Sequence, residues 1–192
     1  MSNSDIAENI FMFPVPASPA EEGATAEAQM IERACTGDRD AFTDLYKIYA
    51  PLVHGIVLAR VPYDEAQDIV QEVFLSAYNN LHTLRDRNVI GSWLATIARN
   101  RATEFYRHAR PTEELSDEIS DRNNREAGAR EILAAIRTMP EAYRETLVLR
   151  LVEGMTGIEI AERTGLKPES VRVNLHRGME LLRKTLGVGG RK

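Results

Sequence analysis

Apolar residues recur at helical spacing along most of the chain and almost nowhere alternate with the period of two that a half-buried strand requires. Phe42, Leu45, Tyr46, Tyr49, Leu52, Val53, Ile56 and Val57 follow one such stripe, with Pro51 expected to kink or break it. A clearer helix covers Asp64 to Leu81. Ala66, Ile69, Val70, Val73, Phe74, Ala77 and Leu81 share one face, and Asp68, Gln71, Glu72, Ser76 and Asn79 the other. A third is predicted to start near Ser92, a good N-cap residue, and to bury Trp93, Leu94, Ile97, Ala98 and Phe105. Its polar side carries Arg99, Asn100, Thr103 and Arg107. A second helical unit runs over residues 129–187, beginning with Ile132, Leu133 and Ile136 and broken at Pro140.

The string GIEIAERTGLKPESVRVNLHR at residues 157–177 has the grammar of a helix-turn-helix. Ala161 is small enough for two helices to cross closely, Gly165 can take the positive φ of a tight turn, and Pro168 has the φ of a first helical turn. Lys167 is a poor N-cap for the second helix. Val171, Leu175, Met179, Leu182 and Leu186 step by three or four and form its buried stripe. Ser170, Arg172, Asn174 and Arg177 are left for a major groove, where Arg can read guanine, Asn adenine, and either can hold phosphate.

Charge sharpens this picture once it is divided along the chain. The net charge of −5 over 192 residues comes wholly from residues 1–30, which hold Asp5, Glu8, Glu21, Glu22 and Glu27 and no Lys or Arg. Basic residues concentrate at 97–110 and at 167–192, and between them residues 111–126 are acidic and rich in breakers. Local basic patches on an acidic chain suit phosphate contact at defined places, with little indiscriminate binding. The polar face of 64–79 is the opposite case: acidic and amide-rich, it repels phosphate and suits a basic protein partner, or plain solvent.

Other chemistries find little support. Cys35 is the single cysteine, so it forms no internal disulfide, and its thiol reads as inert; four scattered histidines offer no structural metal spacing. Asp64, Asp68 and Glu72 could in principle begin a divalent-metal nuclease site, but carboxylates on one helix need ligands from elsewhere. We therefore expect no catalytic residues, metal or cofactor. No apolar run approaches a membrane span and no export signal stands at the N-terminus, so the expectation is a cytoplasmic protein without membrane insertion.

The predicted fold is all-α: two small helical domains joined by a flexible acidic linker, the second containing the helix-turn-helix. The divisions are an acidic disordered tail at 1–27, a helical domain at 28–110, a linker at 111–128, the helix-turn-helix domain at 129–187 and a short tail at 188–192.

Three strings in this order, DEAQDIVQEVFLSAY, GSWLATIARNRATEFYRH and, after the acidic stretch, MPEAYRETLVLRLVEGMTGIEIAERTGLKPESVRVNLHRGMELLRK, resemble bacterial RNA polymerase sigma factors of the extracytoplasmic-function (ECF) type. The resemblance covers residues 38–186. It implies that the first domain corresponds to sigma region 2 and the second to region 4, both seated on core RNA polymerase. Carried over by position, Asp68, Gln71 and Glu72 would meet the clamp helices of the largest polymerase subunit. The segment 144–153 would support docking on the flap of the second-largest subunit. The resemblance also implies minus-ten promoter contacts from Asn80, His82, Arg85 and Arg87 around a base-cradling loop at 81–91, and from Arg99, Asn100, Thr103 and Arg107. Lys167, Ser170, Arg172, Asn174, His176 and Arg177 would meet the minus-thirty-five element. An anti-sigma factor is a further implied partner. Gly91, Asn174 and Gly178 depart from the family pattern, which often has a basic residue, Arg and Ala there. The competing reading is a stand-alone helix-turn-helix regulator that dimerises on a palindromic operator.

Overall fold

A computed structural model describes residues 19–108 and 124–187, which form eight α-helices and no strand. The remaining parts of the tails and the linker lie outside the described residues. The first lobe comprises α1 (Pro19–Cys35), α2 (Arg39–Leu58), α3 (Ala66–Asn80) and α4 (Ile90–His108). The second comprises α5 (Asn124–Arg137), α6 (Glu141–Leu151), α7 (Gly157–Thr164) and α8 (Pro168–Thr185).

Helix α1 corrects the tail boundary, because residues 19–27 are helical. Ile31 and Ala34 are buried, and the Tyr49 hydroxyl on α2 donates to Glu27 at 2.7 Å, so tertiary contact gives this Ala- and Glu-rich segment a reason to fold. The linker boundary shifts likewise, since α5 begins at Asn124, inside the segment 111–128. Asp38 caps α2, accepting from the backbone N–H groups of Asp40 and Ala41 at 2.9 and 3.1 Å.

Pro51 does not break α2, which is continuous over 20 residues. A proline there forfeits one backbone hydrogen bond, but Leu45, Leu52, Val53 and Ile56 on both sides of it are fully buried. Each such side chain contributes about 1.5–3 kcal/mol, which outweighs the local loss. Ser92 is likewise not a helix start: α4 begins at Ile90, fed by a 3₁₀ turn over Arg87–Val89 that Asp86 caps through the Asn88 N–H, and Ser92 Oγ donates to Val89 O. Leu94 and Ala98 are buried as expected, whereas Trp93, Ile97 and Phe105 only border the core.

The two lobes share one continuous apolar core, with α6 lying against α2 and α7 against α4. Leu149 of α6 is fully buried at this junction, and the Cβ that Gly55 lacks would fall 2.6 Å from Leu149 Cδ2. Within the second lobe α6 also crosses α8 closely. A Cβ at Gly178, one of the departures from the family pattern, would sit tightly against Leu147 at 3.1 Å and Tyr143 at 3.2 Å.

Candidate nucleic-acid interface

Helices α7 and α8 form the helix-turn-helix that the spacing predicts. Gly165 ends α7 with φ +74°, Pro168 opens α8, and Lys167 makes no side-chain capping bond. Ile160, Ala161, Val171 and Leu182 are buried, with Leu175, Met179 and Leu186 packed against them. A capping box at the start of α7 was legible as T-x-x-E and not anticipated: Thr156 Oγ1 accepts from the Glu159 N–H at 3.2 Å, and the Glu159 carboxylate accepts from the Thr156 N–H at 2.7 Å. The outward face of α8 presents Lys167, Ser170, Arg172, His176 and Arg177 to solvent, and Asn174 is half-buried.

On the first lobe Asp68, Gln71 and Glu72 are all exposed along α3, beside Leu75, which is 64% exposed. Asp64 is drawn instead to Arg130 of α5 at 3.1 Å, so the three carboxylates at 64, 68 and 72 do not act as one set. Among the described residues no group of three His, Cys, Asp or Glu side chains is placed to hold a metal ion.

The residues assigned to the minus-ten element divide. Asn80, His82, Arg85, Asn100, Thr103 and Arg107 are exposed, though Asn80 Nδ2 donates to Ser76 O and Thr103 Oγ1 to Arg99 O. Arg87 is held by Glu32 of α1 at 2.9 Å. Arg99 is held more firmly: its Nε and Nη2 donate to the two carboxylate oxygens of Glu145, on α6, at 2.8 and 2.9 Å. Arg60 pairs with the same carboxylate, and with Glu141 at 3.0 Å. Glu145 is only 9% exposed. Burial alone would raise its pKa, but the Arg99 hydrogen bonds and the charge of Arg60 hold it below its ordinary value of 4.5.

Family models for Sigma-70 region 2 and Sigma-70 region 4 match residues 45–112 and 129–182, in that order. The RNA polymerase sigma factor CarQ of Myxococcus xanthus is 33% identical over 167 residues, which is 82% of this chain and 95% of that protein. The chain belongs to the ECF sigma factors. The ECF sigma factor SigW of Bacillus subtilis is 28% identical, over 81% of this chain and 94% of its own length. In fold, this sigma factor is similar to CnrH as solved with the cytosolic domain of CnrY, at a TM-score of 0.58 and 23% identity, covering 86% of this chain and 99% of that one. It also resembles RpoE of Bartonella quintana, solved with the anti-sigma factor NepR, at 0.51 and 17%, covering 78% and 98%. A sigma factor recognises promoters as part of RNA polymerase, and the stand-alone repressor reading is not favoured.

The residues that sequence reasoning missed lie where the lobes of the sigma factor meet: Arg60, Glu145, His54 and Arg163. His54 Nδ1 lies 2.6 Å from Glu153 Oε1. Arg163 of α7 donates to Ile48 O at 3.0 Å and stacks over the Tyr49 ring at 5.1 Å. Gly91 departs from the family pattern for a reason found here, because a Cβ would meet Arg163 O at 2.5 Å. Cys35 is half-buried, and burial pushes its thiol pKa up, in keeping with an inert role.

The lowered Glu145 pKa fixes a pH dependence. Its stabilising contribution is present above the ordinary carboxylate value of 4.5 and is lost as pH falls through the depressed value. Glu145→Gln is therefore expected to lower the urea midpoint at pH 7, and the gap to wild type should close as both are titrated into acid. A gap that persists undiminished at the lowest pH would show that the carboxylate charge is not what is lost.

Proposed function

We propose that this sigma factor seats on core RNA polymerase through Asp68, Gln71 and Glu72 of α3, against the clamp helices of the largest subunit. The segment 144–153 supports docking of the second lobe on the flap. Lys167, Ser170, Arg172, Asn174, His176 and Arg177 of α8 then grip the minus-thirty-five duplex, Arg and Asn reading base edges and the others holding phosphate. Asn80, His82, Arg85, Arg87, Arg99, Asn100, Thr103 and Arg107 hold the minus-ten strand and its neighbouring duplex.

Melting on this reading is a matter of capture. Extruding a base costs a few kcal/mol, and contacts that exist only with the unpaired strand recover it. Few aromatic side chains stand exposed between 81 and 107, Tyr106 being one, so capture per base is weak and initiation depends on near-ideal promoters. Nucleotidyl transfer belongs to the polymerase. The protein acts in the cytoplasm; among the described residues no helix is long and apolar enough to cross a membrane. An anti-sigma factor is a further partner on this reading, in line with the complex of the similarly folded RpoE with the anti-sigma factor NepR.

The observation that supports this most directly is the division of charge by surface: an acidic exposed face on α3 and a basic exposed face on α8, each backed by a buried apolar stripe. Purified core polymerase with this protein, run on a genomic template with transcript starts mapped, is expected to initiate downstream of one shared pair of elements. No new starts over polymerase alone would overturn it.

A further inference from the structure

We infer that Val173 is a specificity-determining residue at the minus-thirty-five element, where it packs against the 5-methyl group of one thymine in the major groove. The inference rests on the reading of α8 as the helix that enters that groove.

Val173 stands where folding has no use for a large apolar side chain. It is 39% exposed, and among the described residues it is the only exposed large apolar side chain on α8. Two positions separate it from Val171, which is buried, and two from Leu175, which packs against the core. At 3.6 residues per turn that places it about half a revolution from the buried stripe, at the outermost point of the helix. Valine is a poorer helix former than the Lys, Arg or Gln of a solvated face, so local propensity does not favour it either.

Its surroundings fit a groove rather than a protein partner. Ser170 and Arg177 lie to one side of it around the helix, and Arg172 and His176 to the other, all exposed. A protein-docking face presents a contiguous apolar patch, whereas here one apolar side chain is ringed by polar and cationic groups. That cross-section matches a major groove, with base edges at the floor and phosphates along both walls. Val173 also lies in the amino-terminal half of α8, the part that a helix-turn-helix directs at base edges.

The chemistry then selects the base. Val173 has no side-chain donor or acceptor, so against a polar base edge it leaves that edge unpaired. The thymine 5-methyl is the apolar group that the base pairs present in the major groove. Branched at Cβ, valine keeps essentially one χ1 rotamer in a helix, and the contact costs little side-chain entropy.

Holoenzyme assembled from core polymerase and the full chain is titrated with promoter duplexes in which each thymine of the mapped minus-thirty-five element is replaced singly by deoxyuridine. This deletes the methyl and keeps every hydrogen-bonding group. Burial of one methyl group predicts a loss of about fourfold in affinity, at one thymine. With Val173→Ala the loss should vanish, the variant binding the thymine and deoxyuridine duplexes alike. Alanine is the better helix former at an exposed position, so the variant keeps its fold. No thymine whose methyl matters, an element without thymine, or a methyl effect that survives Val173→Ala would each overturn the inference and leave the groove assignment of α8 in place. If scrambling the whole element leaves wild-type binding unchanged, the groove assignment itself falls, and the methyl contact with it.

Discussion

Lysine at both Asp68 and Glu72 is expected to abolish measurable binding of the sigma factor to core polymerase while leaving it folded. The two carboxylates are exposed and sit one turn apart on α3, whereas Ile69, Val70 and Val73 between and beside them are buried and anchor the helix. Reversal places two positive charges against a surface that the proposal takes to be basic. Like charges so juxtaposed cost several kcal/mol, about a hundredfold or more in affinity. Stability should fall only slightly, chiefly because Asp68 lies in the first turn of α3, where a negative charge is favoured. Co-purification with core polymerase reads the first effect and thermal unfolding by circular dichroism the second. Binding within a few-fold of wild type would remove the clamp assignment. Leu75, exposed beside the pair, would supply an apolar anchor to the proposed interface.

Arg172→Ala is expected to cost about 1–3 kcal/mol at one base pair of the minus-thirty-five element, relaxing preference there and leaving other positions alone. Arg172 is in the first turns of α8, exposed, and flanked by the buried Val171, so its stem is fixed and its head free. A phosphate contact would behave differently. All promoters would then weaken together, and the salt dependence of binding would fall by about one counterion. Binding of wild type and variant to a library randomised across the element separates the two outcomes, and an unchanged profile with unchanged affinity would show that Arg172 stands clear of the groove.

Short-range features were legible from residue order. Gly165 adopts φ +74° because the turn after α7 needs the left-handed region, and only a residue without Cβ enters it cheaply. Pro168 opens α8, and the three- and four-residue steps from Val171 to Leu186 face inward, since a helix repeats every 3.6 residues wherever it lies. The exposed polar face of α3 follows from the same periodicity.

Other features depend on what a segment packs against. Pro51 reads locally as a break, yet α2 continues because burial on both sides outweighs a missing hydrogen bond. Residues 19–27 read as tail from composition, and their helix leans on Tyr49 of α2.

What the chain's order determined by itself is helix content, the two-lobe division, the helix-turn-helix and the polar faces offered to solvent, all set by spacing over a few turns. The tertiary structure alone decided that Glu145 sits buried between Arg60 and Arg99, 46 positions upstream in the case of Arg99. The reason is that a charge pair depends on where two helices come to rest in space, and the spacing within either helix carries no record of the other.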